Sequence, residues 1–297
     1  MDNTPLSAHT PWRRVLADLS LIAVVFVWGV TFVTVKNALA AIGVFTFLTI
    51  RFAIAFLFLA LLFRRRLAAA GWPEVRASLI IGVFLFAGYA FQTAGLKYTS
   101  AANAGFITGL AVALVPCFAA AASRRLPGLP VAAGAGLAVV GLALLTLENG
   151  LTVSYGDTLV FFCAVAFALH ILAIGRFAPR FDAKILATLQ IGVTALLSGV
   201  VAASGETLPA RLTSDVWLAL AITAIPATAL AFLVQTTAQQ FTTPSRTAII
   251  FALEPVFAAL AGIHLLGETL SGQQILGCVL ILAGTLASEL LPDQQNA

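Results

Sequence analysis

The sequence predicts an all-α integral membrane protein in which ten transmembrane helices form two inverted repeats of five helices each. Three observations lead to this fold class: the composition, the spacing of the apolar segments and an internal repeat. Of the 297 residues, 61% are hydrophobic and only 9% are charged, whereas a globular domain carries about 25% charged residues. So few charges cannot cover a surface in water, and most of the surface must therefore face lipid.

Ten apolar segments follow one another along the chain. A helix needs about 20 predominantly apolar residues to cross the hydrocarbon core. The segments lie near residues 15–35, 44–63, 77–96, 101–122, 130–147, 158–175, 185–203, 216–237, 247–266 and 271–290. The apolar run at residues 19–35 is longer than the roughly 7–15 residues of a signal-peptide core, so we interpret it as a retained spanning helix.

The basic residues predict the orientation in the membrane. With the N-terminus in the cytoplasm, twelve of the 16 Lys and Arg residues fall on the cytoplasmic side and three on the outer side. The cytoplasmic set is Arg13, Arg14, Arg64, Arg65, Arg66, Arg76, Arg124, Arg125, Arg176, Arg180, Lys184 and Arg246, and the outer set is Lys36, Lys97 and Arg211. Such a bias predicts a multi-pass protein of the bacterial inner membrane with both termini cytoplasmic. It also favours lipid anchoring over nucleic acid as the role of the basic residues.

An internal repeat divides the chain into residues 1–149 and 150–297. An offset of 143 pairs Gln92 with Gln235 and Thr99 with Thr242. In the first two helices of each half the offset is 139, and the pairs are Asp18 with Asp157, Trp28 with Phe167, Thr31 with His170, and Arg51 with Gln190. Because five helices is an odd number, the second half enters the membrane upside down, an arrangement that places binding sites near the midplane of transporters.

Glycines predict close packing of the fifth and tenth helices. Gly134 and Gly141, like Gly277 and Gly284, are seven residues apart and share one helix face. Small residues on such a face let two backbones approach each other. We expect these helices to be packing elements, with the surface of a homodimer as one alternative.

Two charged residues lie inside the apolar segments, where an ionised side chain costs roughly 2.5–3.5 kcal/mol on insertion scales. Glu254 precedes Pro255, which removes a backbone donor and predicts a kink. Glu254 is either a protonatable or ammonium-binding group, or a structural carboxylate bonded across helices. Arg51 either binds a substrate carboxylate or contacts a gate, since its planar fork suits a carboxylate, or extends to the membrane interface.

The predicted substrate-binding set combines these charges with polar and aromatic residues inside the helices. It consists of Trp28, Thr31, Tyr89, Gln92, Phe167, His170, Gln235 and Glu254, with Arg51 as a carboxylate or gate contact. For each residue the alternative is packing or an interhelical hydrogen bond. His170 has no second His or Cys at ligand spacing, so we predict no metal site. The three cysteines, Cys117, Cys163 and Cys278, are interpreted as small core residues.

The sequence contains no pattern typical of an enzyme. It has no glycine-rich phosphate loop, no paired His and Cys, and no serine in a nucleophile elbow. We therefore predict no catalytic residue and no cofactor.

Several short motifs together resemble the EamA family of the drug/metabolite transporter superfamily. They are Trp28-Gly29 with Phe32, Arg51-Phe52, residues 96–101 (LKYTSA), residues 253–257 (LEPVF) and Gly267-Glu268. The resemblance covers the whole chain and implies a secondary transporter that exports small metabolites by alternating access, and amino acids if it is of the YddG type. It implies a central cavity lined by helices one, three, four, six, eight and nine. Helix six departs from the pattern, with Phe167-Ala168 where the first half has Trp-Gly.

Two alternative functions remain open at this point. A nucleotide-sugar or sugar-phosphate exchanger needs several cationic residues in its cavity, and Arg51 alone is a poor supply. A membrane sensor or scaffold would have no transport cycle at all. The expected partners are a small-molecule substrate and the lipid bilayer, with no nucleic acid.

Overall fold

A computed structural model describes residues 11–39, 41–99, 101–146, 154–207, 212–266 and 269–290. Within these ranges the regular structure is entirely helical, which confirms the all-α prediction. The helices are α1 (Pro11–Ala38), α2 (Val44–Leu62), α3 (Arg64–Ala68), α4 (Trp72–Gly95), α5 (Ala101–Gly109), α6 (Ala111–Ser123), α7 (Leu129–Thr146), α8 (Tyr155–Phe177), α9 (Ala183–Gly205), α10 (Ser214–Ala224), α11 (Ala231–Ala238), α12 (Pro244–Phe251), α13 (Glu254–Leu266) and α14 (Gly272–Leu290). A π-helical segment, Ile225–Leu230, joins α10 to α11.

Seven helical stretches in the described part of the chain are long and apolar enough to cross a membrane. They are Val44–Leu62, Trp72–Gly95, Ala104–Ser123, Tyr155–Phe177, Ala183–Gly205, Ser214–Ala238 and Pro244–Ala261. Two shorter apolar helices, Leu129–Leu145 and Gly272–Ser288, accompany them. The protein is therefore a multi-pass membrane protein, and the count of ten spans stays a prediction.

Some sequence predictions concern residues outside the described part. Ser100, Arg211, Gly267 and Glu268 lie outside the described ranges, as does the predicted repeat boundary at residues 149 and 150. The side chains of Phe32, Lys36 and Ala101 are likewise outside the description.

Two of the predicted spans are interrupted at equivalent points of the repeat. The fourth span breaks at Leu110, between α5 and α6, and the ninth breaks just before Glu254, between α12 and α13. Adding 143 to Leu110 gives Leu253, so the breaks coincide. The predicted kink at Pro255 is confirmed, but the first half breaks equally with Val112 at the matching place. The proline therefore reinforces a break that the first half makes without it.

The ends of α2 and α9 are joined by a long-range helix cap. Gly43 precedes α2 and has no side chain to cap it, so the free N–H groups need another acceptor. Glu206, which follows α9, accepts hydrogen bonds from the N–H of Phe45 at 3.0 Å and of Thr46 at 2.7 Å. The Thr46 hydroxyl donates to the same carboxylate at 2.8 Å. One carboxylate thus fixes the start of α2 on the end of α9.

Helices α7 and α14 pack against each other through the predicted glycine face. A methyl group added to Gly134 would lie 2.7 Å from the backbone oxygen of Gly284, and one on Gly141 would lie 2.6 Å from that of Gly277. Because the earlier glycine of α7 faces the later glycine of α14, the two helices run antiparallel. The packing role is confirmed. Since the glycines are covered within one chain, a homodimer, which stays a prediction, would have to use other faces.

The two halves are interleaved rather than side by side. Helix α1 packs on α11, α12 and α13, whereas α8 packs on α4, α5 and α6. Helix α2 packs on α9 across the same boundary. Fully buried apolar side chains fill these contacts, including Phe47, Phe52, Ile174, Leu186 and Leu220. Polar side chains between the halves are therefore enclosed by protein from both repeats.

The glycine face offers a test of the packing between α7 and α14. We expect Gly141→Ala to lower the unfolding temperature in detergent, because overpacking a tight contact costs about 1–3 kcal/mol. Gly136→Ala on the same helix meets nothing within 4 Å and should be neutral or stabilising by up to about 1 kcal/mol, since alanine is the better helix former. Equal melting temperatures for the two variants would contradict the close approach.

Candidate functional site

Arg51 is buried in the middle of the protein and not at the membrane interface. It is only 5% exposed, so the alternative in which it extends outward is wrong. Its Nε donates to the hydroxyl of Thr228 at 2.7 Å, and its Nη2 lies 3.4 Å from both the Tyr89 hydroxyl and the Ala227 carbonyl oxygen. Among the described residues it has no carboxylate partner, and its Nη1 donates to none of them.

Two aromatic rings pack against the Arg51 guanidinium. Its central carbon lies 5.1 Å from the ring centre of Tyr89 and 5.6 Å from that of Phe52, within the range of a cation–π interaction. Tyr89 in turn contacts Phe167 edge to face, with ring centres 5.5 Å apart. The predicted residues Arg51, Tyr89 and Phe167 are therefore brought together.

The π-helical segment provides the carbonyl oxygen that Arg51 meets. In an α-helix the N–H of Ala231 would bond to the oxygen of Ala227. Here it bonds instead to Pro226, five residues back, and to Thr228, so the Ala227 oxygen is released for other donors. The predicted span over residues 216–237 agrees with the helical stretch Ser214–Ala238, but the π-helical turn within it was not predicted, although Pro226 was a signal for it. Such π-helical turns occur frequently at functional sites.

Trp28 shares the released oxygen with Arg51 and connects two parts of the site. Its indole Nε1 donates to the Ala227 oxygen at 2.8 Å. Its ring lies 5.1 Å from that of Phe251, the last residue of α12. A methyl group on the adjacent Gly29 would lie 2.9 Å from the backbone oxygen of Glu254. Trp28 and Gly29 therefore lie between the Arg51 pocket and the break before Glu254.

Glu254 is the first residue of α13 and is partly buried. Its carboxylate accepts no hydrogen bond from the described part of the chain. The alternative of a structural carboxylate bonded across helices is therefore not observed. A negative side chain at the first turn is favoured by the partial positive charge of a helix N-terminus.

His170 belongs to a buried hydrogen-bond network. Its Nε2 lies 2.8 Å from Oε1 of Gln190, and Nε2 of Gln190 donates to the Thr236 hydroxyl at 3.0 Å. Because an amide oxygen only accepts, the imidazole is the donor. Gln190 is the repeat counterpart of Arg51, so the equivalent positions carry an interhelical network in one half and an unpaired cation in the other. This arrangement matches the alternative that His170 makes one satisfied interhelical bond.

The remaining predicted residues differ in how far they are satisfied. Thr31 donates back to the carbonyls of Val27 at 3.0 Å and Trp28 at 3.1 Å within its own helix. Gln92 donates to the Thr108 hydroxyl at 3.4 Å. Gln235 donates to Gln239 at 3.2 Å, but its own Oε1 is buried with no hydrogen bond from the described residues. Gln235 therefore keeps an unused acceptor, whereas Thr31 and Gln92 are bonded.

Two cavities lie away from these residues. One of about 410 Å³ is lined by α2 and α9 residues, including Thr46, Thr49 and Glu206, and one of about 220 Å³ lies between α2, α4 and α9 around Phe56 and Gly192. None of the predicted site residues lines either cavity. Aromatic rings from both halves pack together at the predicted centre.

Sequence reasoning missed several contact residues because they owe their roles to neighbours in space. The missed residues are Phe52, Gln190, Ala227, Thr228, Phe232 and Thr236, as contacts of Arg51, Trp28, Tyr89 and His170. Pro226 signalled the two on the π-helical segment, and the repeat signalled Gln190 as the counterpart of Arg51. Nothing in the sequence singled out Phe232, whose ring lies 5.7 Å from Trp28 and 5.8 Å from His170.

Comparison with known proteins gives consistent matches over nearly the whole chain. The model of the EamA-like transporter family matches residues 15–147 and 154–289. An uncharacterized transporter of Archaeoglobus fulgidus is 36% identical over 278 residues, covering 94% of this chain and 87% of the relative. A second uncharacterized transporter of that organism is 24% identical over 276 residues, covering 90% and 94%. A protein of known crystal structure shares the fold with a TM-score of 0.80, at 21% identity, over 95% of this chain and 99% of that one.

The buried network around Gln190 can be tested by a double-mutant cycle. We expect Gln190→Met to lower stability by about 1–3 kcal/mol, because it leaves the buried His170 donor without an acceptor. Adding His170→Phe should recover much of the loss, since two apolar partners need no hydrogen bond. Thermal unfolding in detergent measures both effects, with Thr237→Val, at an exposed hydroxyl, as the control. Additive losses in the double variant would show that the two side chains do not interact.

Proposed function

Because this chain belongs to the EamA-like transporter family, we propose that it is a secondary transporter that exports small metabolites, most of all amino acids, by alternating access. Membership makes it a membrane transporter of the drug/metabolite type and not an enzyme. The substrate and the transport cycle are the proposal. The observation that carries it is the buried Arg51 guanidinium, which has no carboxylate partner in the described part of the chain.

A substrate carboxylate would complete the Arg51 pocket. Burying a cation without a counter-charge is costly, and proteins pair such charges or use them on a ligand. Thr228, Ala227 and Tyr89 use only Nε and Nη2, so Nη1 remains for an oxygen of the substrate. An arginine fork can bind a carboxylate with two parallel hydrogen bonds, and the second would come from Nη2 in place of one of its 3.4 Å contacts.

Glu254 would bind the other end of the same substrate. Its carboxylate receives no hydrogen bond from the described residues and suits an ammonium group. Trp28 lies between the two charges, in contact with the Ala227 oxygen on one side and with Phe251 before the break on the other. A small zwitterion bridging Arg51 and Glu254 past Trp28 is what an amino acid supplies.

The inverted arrangement of the halves is supported by their packing. The corresponding helices α7 and α14 run antiparallel through matching glycines, and α5–α6 and α12–α13 break at matching residues. We propose ten spans: the seven long apolar stretches together with α1, α7 and α14. Residues 1–149 and 150–297 then form the two repeats in one integrated membrane domain.

Contacts between helix ends agree with the orientation predicted from the basic residues. Arg66 and Asp182, which are joined at 2.5 Å, both fall on the predicted cytoplasmic side. Thr46 and Glu206 both fall on the outer side and bond to each other. These contacts place each pair of ends on one side of the membrane, and the excess of basic residues on one side is what assigns that side. We propose on that ground that both termini are cytoplasmic and that the membrane is the bacterial inner membrane.

The alternative functions receive less support. A sugar-phosphate or nucleotide-sugar exchanger would need several cations around its substrate. The other arginine that is buried in the described part of the chain, Arg246, donates instead to the backbone oxygen of Ser288 at 2.9 Å. A sensor or scaffold would not need two charged side chains, Arg51 and Glu254, that have no ionic partner among the described residues inside the membrane. Purified protein that moves no amino acid, drug or sugar under any gradient would favour the sensor or scaffold.

Flux into proteoliposomes tests the charge pair directly. We expect Arg51→Met to reduce amino-acid flux by about tenfold or more, because a hydrogen bond to a charged group contributes about 1.5–3 kcal/mol. Glu254→Gln should impair amino acids while sparing analogues that carry a carboxylate and no ammonium group. The exposed Arg65→Met serves as the matched control. Flux that is equal in Arg51→Met and Arg65→Met would refute the carboxylate pocket.

The orientation is tested by labelling single cysteines in intact cells. In a background without native cysteines, Arg124→Cys should react only after the cells are permeabilised, since its loop is predicted to be cytoplasmic. Tyr98→Cys, 60% exposed on the opposite side, should react in intact cells with an impermeant maleimide. The reverse pattern would place the termini outside.

A further inference from the structure

One end of the α4–α8 contact is closed by a hydrogen bond between the two halves. The hydroxyl of Thr99, in the turn after α4, donates to Oδ1 of Asp157 in the first turn of α8. The backbones touch beside it, because a methyl group on Gly156 would lie 2.8 Å from the oxygen of Gly95. We call this end of the molecule the Thr99 face.

The Asp157 carboxylate is held by the helix and not by a flexible loop. Its Oδ2 accepts a hydrogen bond from the N–H of Ser154 at 2.7 Å, and the Ser154 hydroxyl accepts one from the N–H of Asp157 at 3.1 Å. This reciprocal cap fixes the carboxylate on the first turn of α8. The bond to Thr99 therefore ties the turn after α4 to a rigid helix end.

The repeat places the same pair of side chains at the opposite end of the protein. Adding 143 to Thr99 gives Thr242, and subtracting 139 from Asp157 gives Asp18. Thr242 is 4% exposed and Asp18 is 9% exposed, and α1, which carries Asp18, packs on α11 and α12, which flank Thr242. We call this end the Thr242 face. Asp18 lies within α1 and not at its first turn, so the two faces are related but not identical.

The two hydroxyls differ in their bonding state. The Thr99 hydroxyl is bonded to a carboxylate, whereas the Thr242 hydroxyl is buried with no hydrogen-bond partner in the described part of the chain. A buried hydroxyl without a partner is unfavourable and needs an explanation. A conformation in which Thr242 reaches a carboxylate would provide one, and its repeat counterpart identifies that carboxylate as Asp18.

We propose that Thr99–Asp157 and Thr242–Asp18 are two alternating latches, of which the first is closed in the described conformation and the second closes when the first opens. This inference rests on the proposed alternating-access cycle and names the residues that hold each face shut. In an inverted repeat the two end conformations exchange the roles of the halves, so a bond made at one face should be broken at the other. The described bonding pattern is that of a state closed at the Thr99 face.

A native cysteine reports on the Thr99 face. Cys163 is fully buried and follows Asp157 by six residues in α8, so it lies behind the first latch. Its repeat counterpart is Val24, at 4% exposure, behind the second latch. In a variant with Cys117→Ser and Cys278→Ser, Cys163 is the sole thiol. Adding Cys163→Ser and Val24→Cys to that variant places the sole thiol at the Thr242 face instead. A charged methanethiosulfonate applied to protein in lipid nanodiscs reaches both faces.

The two latches predict opposite effects of one kind of substitution. Thr99→Val should raise the rate of Cys163 modification about fivefold, the factor that one net buried hydrogen bond contributes. Thr242→Val removes the bond to Asp18, which forms only in the state that is open at the Thr99 face. Because that state becomes less populated, Cys163 should be modified more slowly and the cysteine at position 24 more quickly. Thr158→Val, at an exposed hydroxyl next to Asp157, is the control and should change neither rate.

If the substitutions only loosened the helix packing, both modification rates would rise in both valine variants. That result would refute the proposal of two alternating latches, and so would unchanged rates. The labelling needs no substrate, so it is independent of the proposed cargo. Opposite shifts in a protein that moves no amino acid would support the latches and refute the amino-acid proposal. Amino-acid flux with unchanged labelling would refute the latches alone.

Discussion

The arrangement at the centre of this protein depends on one backbone carbonyl that is released from its helix. In lipid a backbone oxygen normally bonds within its own helix, because no water is available to replace the bond. At Ala227 the π-helical turn breaks that rule, and the oxygen is satisfied by the indole of Trp28 and the guanidinium of Arg51 instead. Two helices of the first repeat, α1 and α2, are thereby fixed on the second-repeat segment that carries the oxygen.

This arrangement explains how a guanidinium persists inside the membrane without a carboxylate partner among the described residues. Neutral oxygens from Ala227, Thr228 and Tyr89 replace water on one side of Arg51, and the rings of Tyr89 and Phe52 stabilise the charge through their faces. These contacts hold the cation in place without neutralising it. This arrangement agrees with the carboxylate substrate that we propose.

The packing elements of the fold follow the repeat, whereas the charged residues of the candidate site depart from it. The glycine contact of α7 with α14, the helix breaks and the two Thr–Asp pairs all follow the repeat. Arg51, Glu254 and Pro226 do not, since their counterparts are Gln190, Ala111 and Val83. Symmetry suits elements that must serve both end states of a cycle equally. In the proposed cycle the substrate is bound at one site, so its charged contacts need to occur only once.

Much of the fold was determined by the sequence alone, because it follows from local properties. Low charge and runs of apolar residues require helices in lipid, the offsets of 143 and 139 reveal the repeat, and Glu254-Pro255 marks a helix break. The site could be predicted only in part: Arg51, Tyr89, Trp28 and Phe167 converge as expected, while His170 and Thr31 are satisfied by protein partners. Only the tertiary structure decided which hydrogen-bond donor contacts which acceptor. Trp28 and Ala227 lie 199 residues apart, and no local pattern encodes that a carbonyl is free on one helix where a donor arrives from another.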